Sequence, residues 1–188
     1  FLGMFIGLVA GYFRIADGVI MRFMDGMMAI PAILLAIAVV SVFGAGLLSV
    51  IVAIVVAEVP RVVRLVRSVV LSIREEPYVE AAITAGTPTP TLLVRHVLPN
   101  TVAPLIVQGT FIVASAIIIE AILSFLGIGI PPEIPTWGNI MAEGREAFQL
   151  FPFIILYPGA VLCLTVLSVN ILGDGLRDTM DPRFSERV

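Results

Sequence analysis

Few side chains in this sequence could carry chemistry, and their spacing decides which kinds. Glu58 and Glu120 are acids set inside long apolar runs. Counted along its run, Glu58 lies about 16 Å from the start, and Glu120 lies about 9 Å from the far end of its own. A charge near the middle of a bilayer costs at least about 2.5–3.5 kcal/mol on insertion scales. Each acid must therefore face protein or water, or be neutral. Arg61 stands three residues after Glu58, the spacing of neighbours on a helix face, and Pro60 between them can kink the helix. Three readings of Glu58 stay open: an ion pair at a helix end, the wall of an aqueous pathway, or a contact with another membrane subunit. For Glu120 the choice is between a structural pairing or subunit contact and a contact with a cationic solute. Gln108, Ser115 and Asn170 can join helices through hydrogen bonds or line a path.

Other chemistries are excluded by what is missing. A single cysteine, Cys163, excludes an intrachain disulfide and a cysteine-based zinc site, and it reads as a small packing residue. A single histidine, His96, excludes the paired-histidine metal motifs, and with no nucleophile and acid around it a structural hydrogen bond is its expected role. The sequence has eleven arginines and no lysine, so it holds no Walker A loop, which needs its lysine. It also lacks a Gly-x-Ser-x-Gly elbow. Met21, Met24, Met27 and Met28 read as packing or interfacial residues rather than metal ligands. Arg61, Arg64 and Arg67 recur every three residues, as an anchor on anionic lipid or as a salt-bridging surface for a partner.

The elements that must position these residues follow from composition. The chain has 188 residues, 59% hydrophobic and 13% charged, with mean hydropathy +1.09. A soluble domain carries about 25% charged and 45–50% apolar residues, so this chain lacks the polar residues for a soluble shell and belongs in a bilayer. A net charge of −3 argues against nucleic acid, whose binders need a basic face. Against the roughly 20 apolar residues that cross about 30 Å of hydrocarbon, five segments qualify: 1–13 in part, 26–43 with Pro31 near its start, 47–66, 103–126 and 152–172. Ten of the eleven arginines fall on one side of this arrangement, with Arg145 alone on the other. The positive-inside rule then places residues 60–102 and the C-terminus in the cytoplasm. The chain starts inside an apolar run without an initiator Met, so it is expected to be a fragment preceded by one more span.

The cytoplasmic stretch 74–100 is long for a connector, and such loops are usually functional. Pro77 suits the first turn of a helix. Tyr78, Ala81, Ala82 and Ala85 follow at helical spacing, and Gly86 suits the left-handed position that ends a helix. Thr87 is expected to cap a second helix, with Pro88 at its first position and Pro99 stopping it. On the other side, residues 127–151 begin with a proline-stiffened stretch. Ile140, Gly144, Ala147, Phe148 and Phe151 then form a stripe at helical spacing, predicting a short interfacial helix anchored by Trp137.

Glu80-Ala81-Ala82, then Gly86, then Leu98-Pro99 has the spacing of the EAA loop of ABC importer permeases. Further segments, in order, are 95–100, 103–108, Glu120-Ala121 with 123–127, Trp137-Gly138 with 142–145, Pro158-Gly159, 170–178 and Asp181-Pro182-Arg183. With these, nearly the whole chain resembles the dipeptide, oligopeptide and nickel permeases of the C type, binding-protein-dependent inner membrane components.

The resemblance implies an all-α membrane protein, a type I ABC importer transmembrane domain with five visible helices of an expected six, in a bacterial or archaeal inner membrane. It implies that residues 78–88 form the coupling helix, with Tyr78, Glu80, Ala81, Ala82, Gly86 and Pro88 carrying contact to a separate ATPase. It also implies a heterodimer with a second permease, two ATP-binding subunits or domains that hold ATP and Mg, and an external substrate-binding protein that meets the 127–151 face. No cofactor or metal is expected on this chain, which is not itself an enzyme. Glu58, Gln108 and Glu120 are the candidates for the substrate pathway. The expected cargo is a small peptide, with nickel or another solute as alternative. The rivals are an ion-coupled secondary transporter or channel, which leaves residues 80–99 without a role, an intramembrane enzyme, for which no paired catalytic set is present, and, more distantly, a structural membrane scaffold.

Overall fold

The computed structural model describes residues 1–180, and these form helices joined by turns, with no strand among the described residues. In chain order they are α1 (Leu2–Tyr12), α2 (Arg14–Met28), α3 (Ala32–Phe43), α4 (Leu47–Arg74), α5 (Pro77–Thr84), α6 (Thr89–Leu92), α7 (Leu98–Phe125), α8 (Trp137–Glu143) and α9 (Phe153–Met180). The tail segment Asp181-Pro182-Arg183 lies outside the described residues.

The expected 26–43 span is not one helix. Pro31 takes φ −53°, ψ 131° and cannot continue a helical ladder, so α2 ends before it and α3 begins after it. Arg14, Asp17, Arg22 and Asp25 put a charge on nearly every turn of α2 through Asp25, which keeps that part outside an apolar spanning stretch. By length and composition α7 with its preceding turns and α9 can each cross a membrane, and α2 and α3 taken together can make a third crossing. The other two expected spans differ for local reasons. α1 is a short apolar helix, and α4, although 28 residues long, carries Glu58, Arg61 and Arg64 within its first 18 residues.

Pro99 does not stop a helix either. Residues 93–97 form a π turn in which the Leu98 amide donates to Leu93 O, five residues back. The wider turn fits the proline ring, and the helical path runs on from residue 89 to 125. The expected cap at Thr87 is displaced by one residue: Pro88 occupies the cap position and Pro90 falls in the first turn of α6.

The helices sort into two units. In the first (Phe1–Ala29 with Glu58–Gln108), α1 lies against α4 through glycine. A Cβ built on Gly3 would meet Val62 Cβ at 2.7 Å, one on Gly7 would meet Val66 Cβ at 2.7 Å, and one on Gly11 would meet Val70 Cβ at 2.6 Å. Only glycine allows this approach, the small-residue mode of helix association in membranes. Val66, Val70 and Val97 form the buried centre, flanked by Met4, Leu8, Tyr12, Leu93 and Leu105. Polar clamps hold α1 and α2 to α4. Arg67 donates to both oxygens of Asp17, Arg64 Nη2 donates to Asp25 at 2.7 Å, and Arg74 Nη1 donates to Tyr12 O at 3.3 Å. The three arginines at positions 61, 64 and 67 each pair with an acid of the same chain.

The second unit contains Ile30–Ala57 and, of the described residues, 109–180. Its centre is Ala36, Val40, Val50, Ala53, Ile119 and Leu123. Gly44, at φ +83°, ends α3. The large apolar side chains of α9, among them Phe153, Leu156, Tyr157, Leu164, Leu167 and Ile171, are exposed, as suits a helix whose surroundings are apolar.

Candidate functional site

The stretch of residues 74–100 is built from local signals. Glu76 sits in extended conformation ahead of Pro77, whose missing amide costs nothing at a helix start. The helix ends at Thr84, earlier than the expected 78–88. Its C-terminus is a Schellman arrangement: the Gly86 amide donates to Ile83 O at 2.9 Å and the Thr87 amide to Ala82 O at 3.1 Å, with Gly86 at φ +77°. Val79 is fully buried and Ala82 half-buried, while Glu80, Ala81, Ile83, Thr84, Ala85 and Gly86 are exposed. α5 therefore uses one edge to hold on and presents the rest, with small side chains that admit close approach. Pro88 is also exposed, beyond the helix end.

Tyr78 ties this helix to the next one. Its hydroxyl donates to His96 O at 3.3 Å and accepts from Asn100 Nδ2 at 3.0 Å, and the same Asn100 amide donates to His96 O at 2.7 Å. Asn100 escaped the sequence reading as part of this clamp. No sequence signal marked it, because the clamp depends on the π turn at 93–97 and on Tyr78, 22 residues before Asn100. His96 Nδ1 is buried without a hydrogen-bond partner among the described residues, so the structural hydrogen bond expected of its ring is absent there at that atom.

Of the pathway candidates, Glu58 is 3% exposed and accepts from Arg61 Nη1 at 3.1 and 3.2 Å, which is the helix-spaced pair expected. Gln108 is half-buried on α7. Glu120, in the second unit, is half-buried and accepts one hydrogen bond, from Ser124 Oγ at 2.7 Å. Outside the apolar stretches, the Arg67 guanidinium hydrogen-bonded to Asp17 holds that carboxyl below its ordinary range, against the opposing effect of partial burial, and Asp17 in turn raises Arg67.

The 127–151 loop contains a short helix, but earlier than the stripe predicted. Thr136 Oγ1 accepts from the Asn139 amide and starts α8 at Trp137, and the helix ends at Glu143. Asn139, which is buried, donates through Nδ2 to Ile130 O, Pro131 O and Ile134 O. Asn139 thus ties three carbonyls of the loop to α8, with Pro131 O also accepting from the Ile134 amide, and this contact sets the loop where stripe periodicity could not.

A family model described as binding-protein-dependent transport system inner membrane component matches residues 2–186. The chain belongs to this family. Within it, this permease-family chain is 55% identical over 178 residues to a probable peptide ABC transporter permease of Sinorhizobium fredii, covering 95% of the chain and 61% of that protein. It is 43% identical to a dipeptide transport system permease of Alkalihalophilus pseudofirmus, over 96% of the chain and 60% of the relative. It is 42% identical to a glutathione transport system permease of Pectobacterium atrosepticum, over 97% and 61%. The chain thus spans about three fifths of the length of these curated relatives. The all-helical, multi-pass architecture is that of a type I ABC importer transmembrane domain, and its similarity runs to the C-type permeases named from the motifs.

Proposed function

We propose that this chain forms part of the translocation pathway of an ATP-driven importer for small peptides. It works with a second permease, two ATP-binding subunits that hold ATP and Mg, and an external binding protein. The observation that carries this reading is α5: a short helix closed at both ends by its own sequence, anchored by Val79 and Tyr78, and exposing Glu80, Ala81 and the Gly86 turn. Such an element suits docking into a cleft of a cytoplasmic ATPase. Closure of the ATPases on nucleotide then drives the membrane helices between two packings, with ATP supplying differential affinity for one of them. Residues 74–100 and the C-terminus face the cytoplasm in this reading, and residues 127–151 face the binding protein. The relatives named for peptide, dipeptide and glutathione transport favour a peptide cargo over nickel. Glu58, Gln108 and Glu120 are assigned to the pathway.

The test is uptake of a labelled dipeptide by the full-length permease, reconstituted with its partner subunits in sealed vesicles. Uptake should require ATP on the side of α5 and should stimulate ATP hydrolysis. Uptake driven by an ion gradient with no ATPase present would refute the proposal in favour of a secondary transporter.

A further inference from the structure

Glu120 differs from the other acids that the helices bring into contact. Asp17, Asp25 and Glu58 each face an arginine. Glu120 has no cationic partner among the described residues, and its carboxyl accepts a single hydrogen bond, through Oε1, from the Ser124 hydroxyl. The other oxygen, Oε2, is left open to a further donor. An acid in an apolar helix without a cation is an incomplete site for positive charge.

Ser124 is itself held from outside its helix. Its Oγ accepts from the Ile130 amide at 3.2 Å while donating to Glu120, and the residue is 1% exposed. The surrounding backbone is packed as tightly as glycine allows. A Cβ on Gly129 would meet Ser124 Oγ at 2.5 Å, and one on Gly138 would meet Ala121 O at 2.5 Å and Ser124 Cβ at 2.7 Å. The Gly127 turn at φ +79° folds the chain back, and Asn139 fixes the Ile130 end by donating through Nδ2 to the carbonyls of residues 130, 131 and 134. A chain of contacts therefore runs from α8 through Asn139, Ile130 and Ser124 to Glu120, all within one unit.

We infer that Ser124 is a positioning residue for cationic-substrate recognition: it fixes the Glu120 carboxylate, under control of the 127–139 loop, to receive the ammonium group of the transported peptide. This rests on the proposed peptide pathway and adds to it the chemical group recognised and the loop that governs it. A serine hydroxyl that accepts from the loop amide has its hydrogen free for the acid, so a well-formed loop orients that hydrogen toward Oε1. A loop displaced by a docked protein would release Ile130 and with it the carboxylate's orientation.

The test uses the reconstituted full-length importer with a dipeptide and its N-acetylated form, each loaded onto the binding protein to the same occupancy, as checked by separate titration. Ser124→Ala should raise the concentration giving half-maximal uptake of the free-amine peptide by about tenfold and leave that of the acetylated peptide unchanged. Ser124→Cys, with similar volume and a weaker donor, should recover part of the loss, and it serves if the alanine variant fails to assemble. Combined with Glu120→Gln, Ser124→Ala should add little, because the two act as one group. Equal effects on both peptides, or none on either, would overturn the role of Ser124. If Glu120→Gln itself leaves discrimination between the two peptides intact, the pathway role of Glu120 falls; if it abolishes discrimination while Ser124→Ala does not weaken it, only the positioning inference falls.

Discussion

Gly86 offers a clean way to separate backbone conformation from packing in the coupling loop. It sits at φ +77°, and a Cβ built there would meet nothing within 4 Å. Within this chain a substitution therefore acts through conformation alone. Holding an L-residue in the left-handed region costs about 1–2 kcal/mol. The alternative is to unwind the turn and lose the Gly86–Ile83 and Thr87–Ala82 hydrogen bonds, at a net cost near 1 kcal/mol each. The chain takes the cheaper route, so either way the docked form loses about 1–2 kcal/mol, or roughly 5–30-fold in ATPase affinity. The order should follow tolerance of positive φ rather than size: Gly86→Asn mildest, Gly86→Ala intermediate, Gly86→Val worst because it is β-branched. Membrane insertion should be unchanged in all three. Co-purification of the ATPase subunits at graded salt, with peptide-stimulated ATP hydrolysis on the same samples, measures the series. Normal co-purification and stimulation in Gly86→Val would refute the docking assignment. An effect that tracks side-chain volume, with Asn worse than Ala, would refute the conformational argument.

The glycine stripe predicts a steric penalty instead: Gly7→Ala places a Cβ 2.7 Å from Val66 Cβ and 2.9 Å from Val63 O, so overpacking should cost about 1–3 kcal/mol, seen as a lower melting temperature in detergent, whereas Gly18→Ala, with open space around it, should be near neutral. Asp17 contributes stability above the unfolded carboxylate pKa of about 3.9, and because its folded pKa is depressed that contribution fades as pH falls through the lower folded value. Melting scans from pH 7 to 3 should show an acid-limb loss that Asp17→Asn lacks; identical limbs would contradict the pairing. A cysteine placed at exposed Thr84 in a Cys163→Ala background should react with an impermeant maleimide only from the cytoplasmic side, and labelling from outside would invert the orientation.

What the sequence made legible follows from the range over which each feature is determined. α5 and its glycine end, and the Glu58–Arg61 pair, are settled within a few residues, so proline, glycine and i,i+3 rules found them. The Asp17–Arg67 and Asp25–Arg64 pairs join positions 50 and 39 residues apart, and the arginine periodicity alone could not name their acids. Pro31 and Pro99 show the same residue type with opposite outcomes. Pro31 breaks the path into α2 and α3, while the π turn before Pro99 absorbs the ring and lets the helix continue. Hydropathy has no term for that difference. Gly3, Gly7 and Gly11 stood in the sequence at fixed spacing but in a short opening run, where their role depends on the valines of α4 more than fifty residues away. Ser124 and Asn139 were hidden for the reason that makes them informative: each acts through backbone groups of a loop whose shape no periodicity specifies.

The two repeats that meet between α1 and α4 have the same pitch, glycine every four residues against valine every four. Such a match works like two combs of equal tooth spacing. It dictates how near the backbones come, yet a slip by one tooth leaves most of the fit intact, so the stripe is indifferent to sliding by a turn. The register must be stamped elsewhere, and the bonds from Arg74 to the Tyr12 carbonyl and from Arg67 to Asp17 do so. Close spacing and correct alignment are thus separately encoded, and damage to one need not show in the other.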